Sequence, residues 1–356
     1  MKTYNITQLS DRSIYSTSDA IRACGLDWEV DHADLTARPY FINPEGERQY
    51  VQRDVPNHMA VHRTDNAKLL GSAIVGNNFG ILQNTEAFMG FDGILRDQKA
   101  QFISGGWYHN GASAFLQCRL PHQEKLRNGD QLERYLLIAQ GHTGLQALTM
   151  RFTHIRPVCS NTLMAALRDS YHSFSLRHTS TIKDRMDEAV GYMQVGLKHL
   201  EKAERRFHQM ADIHLSEKEQ INFLKLAYEQ TGKKFTDDLK NFSKWKHIEP
   251  IFHDARGKRY SQGTLWHPFN VVTEFEDHAS LVKKEKGSPS SLVLTDSDKR
   301  GVRQWRSLWG KGTVDRKVKA FQLAEKVIDG RIDLNTGQPR SVPTRGGLVG
   351  LFTGGK

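Results

Sequence analysis

The chain has 356 residues, 38% hydrophobic and 25% charged, ordinary proportions for a globular protein that exclude a disordered or fibrous chain. Cys24, Cys118 and Cys159 lie far apart with no CxxC pair, which excludes a zinc knuckle and a disulfide framework and fits a reducing compartment. Net charge is +10, and +9 of it falls in residues 280–356, where 16 Lys and Arg stand against 7 Asp and Glu; a polyanion partner and a solvated basic tail both satisfy that asymmetry.

In chain order, residues 1–57 show little periodicity and are expected to form an irregular lead-in with one short strand near Trp28. The apolar run from Lys68 to Val75 predicts a strand, and Asn84-Thr85-Glu86-Ala87-Phe88-Met89 opens on an N-cap residue and predicts a short helix. Two β segments, Gln101–Tyr108 and Ala112–Leu120, flank His109-Asn110-Gly111, and Asn-Gly is the strongest short hairpin signal. Ala114, Leu116, Cys118 and Leu120 recur at every second position, so Cys118 belongs to an apolar face. Leu132–Ala139 and Leu145–Ile155 predict a second pair of strands.

Helices follow. Ser160-Asn161-Thr162 offers caps for a short one. From about Thr181 to Ile213, Met186, Val190, Met193, Leu197, Leu200 and Phe207 form an apolar stripe interrupted by Glu204. Ser216 and Glu219 make a capping box ahead of a third helix, antiparallel to the second. Trp266, Phe269, Val272, Phe275, Ala279 and Val282 predict one more, and a last helix spans about Val314 to Ile328.

The expected fold is α+β: an antiparallel, hairpin-built sheet followed by a long helical hairpin and further C-terminal helices. Its expected divisions are a lead-in (1–57), a β-rich core (58–180), a helical arm with the rest of the core (181–282), a linker (283–301), a basic helical segment (302–329) and a disordered tail (330–356). No signal peptide and no apolar run of membrane-spanning length is visible, so a cytoplasmic protein without a membrane partner is expected.

Three constellations could carry chemistry. Arg156 precedes Pro157-Val158-Cys159-Ser160-Asn161, where a strand gives way to a helix start that attracts anions. Cys159 would there have a lowered pKa, but no His or Asp partner is set by spacing, and a half-buried structural thiol is the favoured alternative. Glu274 and His278 stand at i, i+4, a spacing that suits a metal or a general base, although one carboxylate and one imidazole are half a site. His58 and His62 share the spacing without the acidic residue of HExxH. Basic and aromatic residues interleave at Lys299, Arg300, Arg303, Trp305, Arg306, Trp309 and Lys311, where cations neutralise phosphates and indoles stack on bases. The same tryptophans also fit an apolar helix face with an arginine rim. No Walker A loop, GxGxxG unit or nucleophile elbow appears, and no cofactor is implied.

Several segments resemble the phage/plasmid-like protein family, whose shared region is a domain of unknown function. They are His62-Arg63-Thr64-Asp65 with Leu69-Leu70-Gly71, Asn84-Thr85-Glu86-Ala87-Phe88, Ile155-Arg156-Pro157-Val158-Cys159-Ser160-Asn161-Thr162-Leu163, Arg177-His178-Thr179, Gly263-Thr264-Leu265-Trp266 and Asn270-Val271-Val272-Thr273-Glu274 onward to His278. The resemblance implies a bacterial or phage cytoplasmic protein of a mobile genetic element and supplies no catalytic residues. By fold-level analogy, the sheet–helix order with a basic C-terminal portion is similar to single-strand-annealing recombination proteins. The expected function is a non-enzymatic nucleic-acid-binding protein, with single-stranded DNA favoured as partner, annealing in recombination or replication as its role, and a homo-oligomer among the arrangements allowed. The competing expectations are a metal- or cysteine-dependent enzyme and a counter-defence protein that binds a host protein.

Overall fold

Successive hairpins build the main sheet in the computed structural model of the chain, which describes residues 4–9, 13–156, 161–163, 173–228, 235, 238–279, 303 and 311–340. The elements begin with β1 (Tyr4–Gln8), α1 (Thr17–Ala23), β2 (Val30–Ala37), β3 (Tyr40–Ile42), β4 (Arg48–Tyr50), β5 (Arg53–Arg63) and β6 (Leu69–Gly76). Next come α2 (Asn84–Met89), α3 (Asp92–Asp97), β7 (Gln101–Tyr108), β8 (Ser113–Lys125), β9 (Gln131–Gly141), β10 (Leu148–Arg156), β11 (Asn161–Leu163) and β12 (Ser173–Leu176). The helical half holds α4 (Met186–Asp212), α5 (Glu217–Ala227), α6 (Trp245–Asp254), α7 (Trp266–Glu274) and α8 (Lys311–Ile328). The fold is α+β, antiparallel sheets first and helices after.

The main sheet has the order β1-β7-β8-β9-β10-β11, and β12 shares the β10 edge with β11. The Asn-Gly hairpin forms where expected: Tyr108 faces Ser113, and His109, Asn110 and Gly111 turn through positive φ values of 51°, 60° and 99°. β1 lies directly against β7, because a Cβ at Gly106 would meet the Asn5 carbonyl oxygen at 1.9 Å. Ala114, Leu116, Cys118 and Leu120 line one face with Leu136, Ile138 and Met150, and α1, α2 and the first half of α4 cover it. Cys118 is fully buried there, and burial pushes its thiol pKa up, which makes it core.

The apolar stripe of α4 has two partners. Its first half lies on the sheet, where Leu197 and Leu200 join the cluster of Met150 and Phe152. Gly196 sits against the Phe152 ring, with no room for a Cβ, which would approach a ring carbon at 2.1 Å. Its second half, from Ala203 to Ala211, packs among helices: Phe207 touches Trp266, Phe269 and Phe321 at ring separations of 5.3, 6.1 and 5.7 Å. Among the described side chains, Met186, Leu197, Leu200 and Phe207 of the stripe therefore pack against the core instead of forming a free-standing coiled-coil seam.

Glu204, the interruption in that stripe, is the junction between the halves. It is buried, and its carboxylate takes both Nε and a terminal nitrogen of Arg134 (2.8 and 2.6 Å) and lies 2.8 Å from His154 Nε2. Burial raises its pKa, but the hydrogen bonds from Arg134 and His154 outweigh that and bring it down to about 2. A bidentate guanidinium fixes distance and rotation together, so α4 has one seat on the sheet.

Five expectations differ from what is observed. Where the sequence predicts a short helix opening on Ser160-Asn161-Thr162, Asn161–Leu163 instead form strand β11, paired antiparallel with the end of β10. The described residues of the lead-in are regular, not irregular: they contribute β1 to the main sheet, and β2 pairs with β5 and β5 with β6 in a second sheet, with β3–β4 as a separate hairpin. The helix at Asn84 is capped one residue earlier, by Gln83 with Glu86, while Asn84 is buried and accepts from His142. The helix from Trp266 changes to a π turn over Phe275–Ala279, which opens the i→i+4 ladder. Residues 331–340 form an ordered turn that buries Leu334 and bridges Ile332 to Pro339. The expected linker 283–301 lies outside the described residues, as does the tail beyond 340.

Removing Glu204 alone leaves the Arg134 guanidinium buried without its partner. Glu204→Leu should cost about 3–5 kcal/mol, and the double change Glu204→Leu with Arg134→Met should recover a large part of it. Urea unfolding of the two single variants and the double variant checks this, and additive losses would contradict the coupling.

Candidate nucleic-acid interface

β2 and β5 run past the end of β6 as a two-stranded ribbon. β6 pairs with β5 only between His58 and His62, whereas β2 and β5 stay paired to Ala37 and Arg53. A register shift marks the exit: Asp34 faces Met59, but Thr36 faces Asp54, and the intervening Asn57 takes a left-handed φ of 59°. Pro56, which has no N–H to leave unpaired, sits in that bulge, and bulges bend strands. Beyond it Tyr40 faces Tyr50 and Ile42 faces Arg48, and Asn43 closes the turn by accepting from the Gly46 and Glu47 amides at 2.9 and 2.7 Å.

No residue from Thr36 to Tyr50 is buried. Side chains two apart share a strand face, so Arg38, Tyr40 and Ile42 stand beside Arg48 and Tyr50. The Arg48 guanidinium lies 4.7 Å over the Tyr40 ring, that of Arg38 lies 5.6 Å over the Tyr50 ring, and the two rings are 5.8 Å apart. Tyr40, Phe41, Ile42 and Tyr50 are between 49% and 65% exposed. A bare ribbon of two strands is marginal in water, and clustered exposed apolar groups mark a binding surface.

At the foot of the ribbon opens a cleft of about 630 Å³, lined by Gly76, Asn78 and Phe79 after β6, residues 144–147 of the β9–β10 loop, and Arg177-His178-Thr179 after β12. Asn77 donates to Asn57 at 3.3 Å and ties the cleft to the ribbon bulge. His178 stacks on Phe79 (5.2 Å between centroids, 19° between planes), and its Nδ1 lies 3.3 Å from the Gly80 carbonyl. Its buried Nε2 has no hydrogen-bond partner among the described residues. Arg177 is exposed at the rim and has no carboxylate partner among the described residues.

Two buried imidazoles flank this region. Burial brings the His178 pKa down to about 4, against the opposing pull of the Gly80 carbonyl, and burial with the nearby His178 brings that of His142 down to about 3. Both are neutral at pH 7, so the cationic group of the cleft is Arg177.

Of the sequence-predicted candidates, the described residues include Arg156, Glu274, His278, Arg303 and Lys311. Arg156 ends β10 opposite Asn161, and Arg303 is a half-buried helical residue. Lys311 begins α8. Cys159, Lys299, Arg300, Trp305, Arg306 and Trp309 lie outside the described residues. Glu274 is buried and accepts from the Arg256 amide at 3.2 Å, while His278 lies in the π turn; neither belongs to a three-donor group among the described residues. His58 and His62 sit on strand β5, where four residues span about 13 Å, too far for a shared metal. Part of the C-terminal charge is used internally: Arg316 pairs with Glu276 at 2.7 Å, and buried Lys317 pairs with Asp277.

The ribbon has a faint signal in the sequence, since Asn43-Pro44-Glu45-Gly46 between Tyr-Phe-Ile and Arg-Gln-Tyr is a turn between two β-forming runs, but no apolar alternation accompanies it. The cleft had a trace in the sequence, the segment Arg177-His178-Thr179, but no spacing that joined it to Phe79. No helix among the described residues is long and apolar enough to cross a membrane.

Fold and surface together define an α+β protein with a projecting aromatic ribbon and a cleft at its foot. Residues 72–309 match the family described as Domain of unknown function (DUF932), and the chain belongs to that family. No curated protein and no solved structure matches it. The cleft residues fall within the matched span, whereas the ribbon precedes it.

His178 and His142 bind protons more weakly when folded than the ordinary value of 6.5. Their contribution to stability is full above about pH 6.5 and is lost as pH falls toward 4, because the unfolded chain then takes up protons that the folded one does not. Between pH 7 and pH 5 the urea midpoint of the wild type should fall, and that of His178→Asn should fall less; parallel curves would contradict the assignment.

Proposed function

We propose that this chain binds single-stranded DNA, with the ribbon face of Arg38, Tyr40, Arg48 and Tyr50 and the Arg177 cleft as its interface. The observation that carries the proposal is the exposed run of guanidinium, ring, ring and guanidinium on one ribbon face. Unpaired bases stack on such rings regardless of sequence, and the flanking cations neutralise phosphates. The cleft continues the same surface from the foot of the ribbon, with one exposed arginine and a stacked Phe79–His178 pair.

The basic and aromatic residues Lys299, Arg300, Arg303, Trp305, Arg306, Trp309 and Lys311 are proposed as a second contributor, within a chain of net charge +10. The resemblance to phage/plasmid-like proteins supports a place in the replication or recombination of a mobile element in a bacterial cytoplasm, with annealing as the function and a homo-oligomer as one form the protein takes.

Binding of labelled oligothymidylate, followed by fluorescence anisotropy across a salt series, tests the proposal. The wild type should weaken steeply with salt. Tyr40→Ala with Tyr50→Ala should cost about 1–3 kcal/mol for each base stack lost and leave the slope nearly intact. Arg38→Gln with Arg48→Gln should flatten the slope by about 1.4, at about 0.7 for each phosphate contact on a single strand. These side chains belong to no buried cluster, so the variants should melt as the wild type does. Wild-type affinity retained in both double variants would rule out the ribbon, and a change of oligomeric size without loss of DNA binding would make it a self-association surface.

A further inference from the structure

Far from the ribbon, the β8–β9 hairpin meets α4 at a group of imidazoles and carboxylates that the DNA-binding proposal does not use. β8 carries two extra residues between Arg119, which faces Tyr135, and Gln123, which faces Glu133. Pro121 lies inside this bulge, so the strand loses its ladder there and His122 is re-aimed toward α4. His122 Nε2 stands 3.4 Å from Glu124 Oε2 and 4.0 Å from Glu204 Oε1. One ligand atom from each of the three residues lies within 4.8 Å of the other two.

We propose that His122, Glu124 and Glu204 bind one divalent transition-metal ion of the zinc or manganese class. The spacing suits that chemistry: bonds of about 2.0–2.2 Å to imidazole nitrogen and carboxylate oxygen place neighbouring ligand atoms of a tetrahedral site about 3.3–3.6 Å apart. Separations of 3.4 and 4.0 Å are within a small rotation of that arrangement. One nitrogen and two oxygen donors favour such an ion over calcium, which takes six to eight oxygens.

The surrounding contacts are those that orient metal ligands. His208, one helical turn beyond Glu204, places Nε2 2.7 Å from Glu124 Oε1 and leaves Oε2 facing His122. Glu204 is held by Arg134 and His154. Ligating carboxylates fixed by such outer partners are preorganised for the ion. His122 is 45% exposed, so an ion has a route in and an open coordination position for water. Sequence spacing could not show this group, because it joins His122-x-Glu124 on a bulged strand to Glu204-x-x-x-His208 on a helix 80 residues later.

The site is independent of DNA binding and is tested with metal alone. Chelator-treated full-length protein should take up one equivalent of zinc, manganese or cobalt in calorimetric titration, and cobalt should give visible absorption bands. His122→Ala and Glu124→Gln, both at exposed or half-exposed positions, should keep the wild-type melting curve without metal and lose at least 100-fold in affinity. His208→Ala, which removes an orienting partner only, should lose about 10- to 100-fold and keep the one-to-one stoichiometry. No stoichiometric uptake by the wild type would overturn the proposal. So would uptake that His122→Ala and Glu124→Gln leave unchanged, which would place the ion elsewhere on a chain with 16 histidines.

Discussion

The seat of α4 on the sheet is set by one buried carboxylate. Glu204 interrupts an otherwise apolar stripe, and a charge in that position is tolerated only because Arg134 on β9 and His154 on β10 meet it with three hydrogen bonds. Gly196, about two turns earlier, lets the same helix rest on the Phe152 ring. A close contact and a bidentate pair along one helix leave no freedom to slide or roll. The remaining helices assemble against that fixed surface, with Phe207 as the ring that Trp266, Phe269 and Phe321 surround.

The same helix positions the cleft. Phe174 of β12 stacks on Tyr192 of α4 at 4.4 Å, so β12 is held between the β10 edge and the helix. Arg177, His178 and Thr179 follow β12 directly, and Lys183 joins the next turn to Glu86 of α2 at 2.6 Å. The rim of the cleft is thus built on a rigid foundation, whereas the ribbon beyond the Asn57 bulge buries nothing of its own. That division suits a protein that holds a flexible polymer: a fixed foot and an adaptable, rotamer-poor aromatic surface. It also limits what the basic C-terminal segment contributes, since Arg316 and Lys317 of α8 already neutralise Glu276 and Asp277 within the protein.

What could be read from the sequence follows from the range of each interaction. The β7–β8 hairpin, the core face of Cys118, the Ser216–Glu219 capping box and the last helix rest on neighbours within a few residues, and each is found. The α+β class follows from their order. The ribbon escaped because its residues face water on both sides, so no apolar alternation announces a strand. The His122–Glu204 group escaped because a bulge and a helix bring it together across the fold. Glu204 was visible only as a flaw in a pattern, and a charged residue in an apolar stripe is itself a signal of a buried partner.

The interface proposed for single-stranded DNA is tested most directly by hydrogen–deuterium exchange of the full chain with and without oligothymidylate. The account predicts slowed exchange in residues 36–53 of the ribbon and at the cleft segments 76–80 and 177–179, with the interior of the sheet unchanged. Slowed exchange confined to residues 299–311, or none anywhere at saturating oligonucleotide, would contradict it.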